Sequence, residues 1–150
     1  VFDMATIDIW NYFSLDAQGE TVTGKHGTIT DLRETPTTLT VTPTVYRKIG
    51  TLANDSAATL WDEDSGDFNT FEFLHFWADQ RCYLQLVSQA TNVVFKLLAK
   101  APFTLSTEYL LAAANTTIIG GSEPSATAMD SIVLGNYSGV VINYKLALVD

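Results

Sequence analysis

At 150 residues the chain has the usual size of one domain and removes roughly two thirds of its unfolded surface from water on folding, enough for one core. Only 17% of its residues are charged while 47% are hydrophobic, so neutral Thr, Ser and Asn must cover much of the surface. A net charge of -9, with eight Lys and Arg scattered rather than clustered, argues against partners that need a basic patch, both nucleic acids and anionic membranes.

Residues 1–15 hold Ile7, Ile9, Trp10, Tyr12 and Phe13 ahead of the first glycine. Such an apolar start fits an ordinary first strand or an interacting arm that docks on a neighbouring molecule. Residues 21–32 read as two short arms about a turn at Gly24, Lys25, His26 and Gly27. Residues 37–48 alternate Leu39, Val41, Pro43 and Val45 with threonines, the pattern of a half-buried strand, and Pro43 places it at an edge or a bulge.

The strongest local signal spans residues 70–87. Phe71, Phe73, His75 and Trp77 fall on one face of an extended segment, and Glu72, Leu74, Phe76 and Ala78 on the other. Asp79 and Gln80 interrupt the run before Cys82, Leu84 and Leu86 alternate with Tyr83, Gln85 and Val87, which predicts a hairpin with a short turn. Its first arm, apolar on both sides, is expected to be covered on both faces. Apolar runs at residues 93–99 and 132–134 add two strands, and residues 140–149 close the chain after a turn at Asn136, Tyr137, Ser138 and Gly139. Residues 108–114 allow one short helix capped by Ser106, or another strand. The main loops fall at residues 53–57, 62–69 and 120–128. About eight to ten short strands without crossover helices predict an all-β fold, an antiparallel β-sandwich of jelly-roll type with at most one short helix, in a single domain over residues 1–150.

Catalytic chemistry is not legible. The two histidines, His26 in a glycine-flanked turn and His75 inside the aromatic run, come without a nucleophile motif, a zinc pair or a phosphate loop. Asp62, Glu63, Asp64 and Asp67 crowd one loop beside Trp61 and Phe68. Asp62, Asp64 and Asp67 are the candidate calcium ligands there, but Gly66 and Asp67 stand in the reverse of the EF-hand order and no distal Glu completes the set, so a solvated acidic turn is expected. Paired carboxylates of a glycosidase need defined separations across a cleft, which one loop does not display. The lone Cys82 excludes an internal disulfide and reads as a buried small side chain. Trp10, Tyr12, Trp61, Phe76 and Trp77 could form a sugar-stacking platform, or the core of central strands. Sequons at Asn54, Asn115 and Asn136 are expected by chance in a chain so rich in Thr and Ser. No cofactor and no catalytic residue is expected.

Leu60, Trp61 and Asp62, the block from Phe71, Glu72, Phe73, Leu74 and His75 through Phe76, Trp77, Ala78, Asp79 and Gln80, the run Tyr83, Leu84, Gln85 and Leu86, and the closing segments 132–139 and 140–148 together resemble small virion proteins of tailed bacteriophages. The likeness is to capsid decoration or cement proteins with a β-sandwich or jelly-roll fold, and it covers about the last two thirds of the chain. It implies a noncatalytic protein on the capsid surface, with the major capsid protein and copies of itself, as homodimer or homotrimer, for partners. A carbohydrate-binding β-sandwich module and a tail or neck component are the alternatives. Ile7, Ile9, Trp10, Tyr12, Phe13, Leu39, Val41 and Val45 are the expected interface residues.

Overall fold

A computed structural model describes residues 5–9, 12–17, 20–25, 37–41, 45–64, 70–111 and 125–149. Among them every regular element is a β-strand. The chain forms two compact units, Val1–Pro43 and Thr44–Asp150.

In the first unit, β1 (Ala5–Ile9) pairs antiparallel with β4 (Thr37–Val41), placing Ile7 opposite Leu39. The strands β2 (Tyr12–Ala17) and β3 (Glu20–Lys25) pair antiparallel from Ala17 opposite Glu20 to Tyr12 opposite Lys25. Gly24, expected in a turn, therefore lies within a strand opposite Phe13. The paired strands end at Ala17 and Glu20, and residues 18 and 19 lie outside the described residues. The rest of the expected turn, His26 and Gly27, lies outside the described residues.

The second unit is an eight-stranded sandwich with a two-stranded ribbon. Its strands are β5 (Val45–Leu52), β6 (Ser56–Asp62), β7 (Phe73–Ala78), β8 (Cys82–Val87), β9 (Asn92–Leu97), β10 (Phe103–Leu105), β11 (Tyr109–Leu111), β12 (Ala126–Ala128), β13 (Ser131–Asn136) and β14 (Ile142–Val149). One sheet has the order β10-β7-β14-β5 and the other β6-β13-β8-β9, while β11 pairs only with β12. All neighbouring strands are antiparallel. The pairs β5 with β14, β6 with β13, β7 with β10 and β8 with β9 are nested in sequence. This is one long hairpin rolled up so that β14 also meets β7 and β13 also meets β8, which is the construction of a jelly roll.

That topology corrects three local expectations. Residues 70–87 form two strands in different sheets, so residues 79–81 cross between layers rather than close a hairpin. Nor is β7 fully covered on both sides: Leu74, Phe76 and Ala78 point into the core, while on the outer face Phe73 is buried but His75 and Trp77 are only half-buried. Residues 37–48 divide into β4 and the start of β5, with Pro43 between them outside the described residues, and β5 lies at the edge of its sheet. At residues 109–111 the open choice between helix and strand resolves as a strand, where only Leu110 of the three is buried, the period-2 pattern of β11.

The core follows from alternation. Leu84 stands opposite Leu134 and Leu86 opposite Ile132 in one sheet, and Phe76 opposite Leu146 and Leu74 opposite Leu148 in the other, all buried. A bulge in β6 brings both Leu60 and Trp61 inward, and the Trp61 indole meets the Phe71 ring edge-on at 5.3 Å. Because interiors collapse only partly around a deleted side chain, Leu84→Ala is expected to destabilise the fold by about 2–5 kcal/mol. A urea-unfolding midpoint that stays at the native value would contradict this packing.

Candidate functional site

Charge is segregated in the sandwich. The described carboxylates sit in or beside loops: Asp55 and Asp79 at the end with the short links, and Asp62, Glu63, Asp64, Glu72, Glu108 and Asp130 at the other. Of the two outer sheet faces, that of β6-β13-β8-β9 carries one described carboxylate, Asp62, in the end row Asp62, Ser131, Val87 and Asn92, and the described strand positions of the other carry none. Strand alternation then decides what those faces present.

On the outer face of β6-β13-β8-β9, one cross-strand row reads Thr59, Val133, Gln85 and Val94, and the next reads Ala57, Gly135, Tyr83 and Lys96. Lys96, on the edge strand, is the single charge of these rows. The middle of the face is a shallow groove of about 270 Å³ lined by Ala57, Tyr83, Gln85, Val94, Val133, Gly135 and Tyr137. Gly135 adds no side chain to its floor, and a Cβ there would stand in ordinary van der Waals contact with the Tyr137 ring at 3.4 Å. Tyr137 meets Tyr83 edge-on at 6.0 Å, and the Arg81 guanidinium donates to the Tyr137 carbonyl at 3.3 Å. Tyr137 is nevertheless 56% exposed and Val94 57%, and both stand up from the face.

The outer face of the other sheet is cationic. Arg47, Ala147, His75 and Thr104 form one row, and Ile49, Lys145 and Trp77 the next. The Lys145 ammonium lies 5.7 Å from the Trp77 ring centroid, and His75 Nδ1 shares a hydrogen bond with Thr104 Oγ1 at 3.3 Å.

The two ends differ in order. At the short-link end, Asn136 is fully buried, and its amide donates to the carbonyls of Leu52 and Val140 while its oxygen accepts from the Ser138 N–H and hydroxyl. Asn54 accepts from the Gly139 N–H at 2.7 Å. Two of the three sequons are thus used inside the fold, and Asn115 lies outside the described residues. Asp79 accepts from the side chain and the backbone N–H of Asn143, which holds its carboxyl below the ordinary value.

At the acidic end, the Asp62 carboxylate accepts from the Asp64 N–H at 2.9 Å, and the Glu108 carboxylate accepts from the Phe71 N–H. Partial desolvation and the carboxylates of Asp130, Asp64, Asp62 and Glu108 raise the Glu63 pKa. Asp67 lies outside the described residues, among which no group of three His, Cys, Asp or Glu stands together for a metal.

Of the residues expected at an interface, Ile7 and Ile9 lie in β1, Tyr12 and Phe13 in β2, Leu39 and Val41 in β4 and Val45 at the start of β5, while Trp10 lies outside the described residues. The aromatic platform is corrected in part: Trp61 and Phe76 are core side chains, and Trp77 is half-buried with a lysine against it. The groove residues Tyr83, Gln85, Val94, Val133, Gly135 and Tyr137 were not among the expected site residues. Their signal was available, because the solvent-facing positions of β8 and β13 hold no charge. Against known proteins, no family model, no curated protein and no solved structure matches the chain.

Two expectations follow from these environments. Because the folded pKa of Glu63 lies above its ordinary value, folding is favoured while the group is protonated, and that contribution is lost as the pH rises through the folded pKa. Glu63→Gln should therefore raise the thermal midpoint at pH 7 and flatten its fall as the pH rises above the ordinary carboxylate range, as read by scanning calorimetry; an unchanged slope would contradict the desolvation and repulsion at this site. Cys82 is fully buried and its thiol is pushed up to about 11, so almost no thiolate is present at neutral pH. A maleimide should label it only in denaturant, and rapid labelling of the native protein would be inconsistent with its burial.

Proposed function

We propose that the chain is a noncatalytic structural protein of a virion, a head decoration or cement protein that binds the major capsid protein and copies of itself on the capsid surface. The observation that carries this reading is a jelly roll whose described outer faces hold a single carboxylate, Asp62 at one end, in a protein of net charge -9. Acidic ends keep free copies apart in solution, whereas the faces between them are free to pack. A lattice repeats one contact many times, so a modest interface suffices for stable attachment. The resemblance to tailed-phage decoration proteins and the jelly-roll architecture favour the same class.

Burial of Trp61 and Phe76 weighs against the carbohydrate-binding alternative, since a stacking platform needs coplanar exposed rings. The test is cross-linking mass spectrometry on native particles together with a glycan panel. Cross-links to the shell subunit without glycan retention are expected. A protein that is absent from heads, or that is retained on polysaccharide as a monomer, would overturn the reading.

A further inference from the structure

We infer that the grooved face of β6-β13-β8-β9 is a two-fold contact with a second copy of this chain. The inference rests on reading the protein as one that works by packing, and it names the face and the symmetry. In a two-fold contact the same patch meets itself, so each charge near the axis faces its like and any protruding side chain must find a hollow on the same patch. The cationic sheet fails the first condition, because Arg47 and Lys145 would approach their own copies. The acidic loop ends fail it more severely.

The grooved face meets both conditions. Its two central cross-strand rows carry only Lys96, on one edge strand, and the end row carries Asp62, on the other, so both charges stay hydrated at the rim. Tyr137 supplies the protrusion and the floor of Ala57, Val133 and Gly135 the hollow beside it. The edge contact with Tyr83 and the hydrogen bond from Arg81 fix the backbone and ring of Tyr137 before any partner arrives, which lowers the ordering cost of association. A glycine within a strand often marks the place where another chain approaches closely.

Size sets the strength. Four strands about 4.8 Å apart and six residues long make a face on the order of 400 Å², below the roughly 800 Å² per partner of a stable complex. The contact is therefore a reversible dimer, of the kind that a lattice reinforces by repetition.

Sedimentation velocity on the whole chain from about 1 to 300 μM should show a concentration-dependent monomer–dimer equilibrium, the span expected for a small interface. Val94→Glu sets two carboxylates across the axis from a side chain that is already exposed, and should weaken dimerisation at least about tenfold with an unchanged thermal midpoint. Ile49→Glu, on the exposed opposite face, should leave it unchanged. A protein that stays monomeric at the highest concentration overturns the inference, as does a dimer indifferent to Val94→Glu or broken by Ile49→Glu. Particle binding separates the two claims: a monomer that still decorates heads removes the two-fold contact and leaves the decoration reading standing, whereas a dimer that ignores heads does the reverse.

Discussion

Two ladders of apolar pairs hold the sandwich together: Leu84 with Leu134 and Leu86 with Ile132 in one sheet, Phe76 with Leu146 and Leu74 with Leu148 in the other. These pairs belong to the β13–β8 and β14–β7 contacts, the ones that turn a long nested hairpin into a closed roll. Each strand has a side-chain period of two, so burying these residues fixes the opposite set on the outside, and a slip of one residue would exchange the two. The outer faces are thus a direct consequence of the inner ladders. Asn136 secures the arrangement where the layers meet, since it stands in β13 of one sheet and donates to Leu52 of the other. A buried amide with its donors and acceptors satisfied specifies one alignment of the layers, because any other would leave it unpaired.

The sequence made the strands of the second unit legible in proportion to how cleanly they alternate. Residues 82–87 and 140–149 show this best, with one face buried and the other wetter in both. The connections were less legible. Asp79 and Gln80 are turn formers in a hairpin and in a crossing between layers alike, and the deciding fact is a partner far away in sequence: Asp79 takes both its hydrogen bonds from Asn143. In the same way Gly24 looks like a turn residue on its own, yet it lies within β3, opposite Phe13. Local composition ranks the places where a chain can bend, and long-range pairing chooses among them.

The grooved face escaped the sequence reading for a related reason. Attention to apolar clusters leads to the amino-terminal segment and to residues 37–45, where hydrophobic residues run densely. The groove is built instead from residues at the positions that a strand pattern assigns to solvent: Tyr83 and Gln85 on β8, Val133 and Gly135 on β13, Val94 on β9. None of these is unusual alone. What is unusual is that the central rows of four neighbouring strands hold a single charge, Lys96 at one edge, and that becomes visible only when the order β6-β13-β8-β9 puts them in register.

Placement of charge connects the fold to its proposed role. With a net charge of -9, evenly spread carboxylates would make each face repel every other acidic surface. The described carboxylates of the sandwich lie at its ends, where partial desolvation and the carboxylates of Asp130, Asp64, Asp62 and Glu108 raise the Glu63 pKa. That local strain is tolerable because loop carboxylates stay hydrated, and screening limits their reach to about 8 Å at physiological ionic strength. The sheet faces lie between the ends and escape most of this field at their centres. What the faces of this sandwich present is therefore set by where acidic residues are left out as much as by where apolar ones are put in.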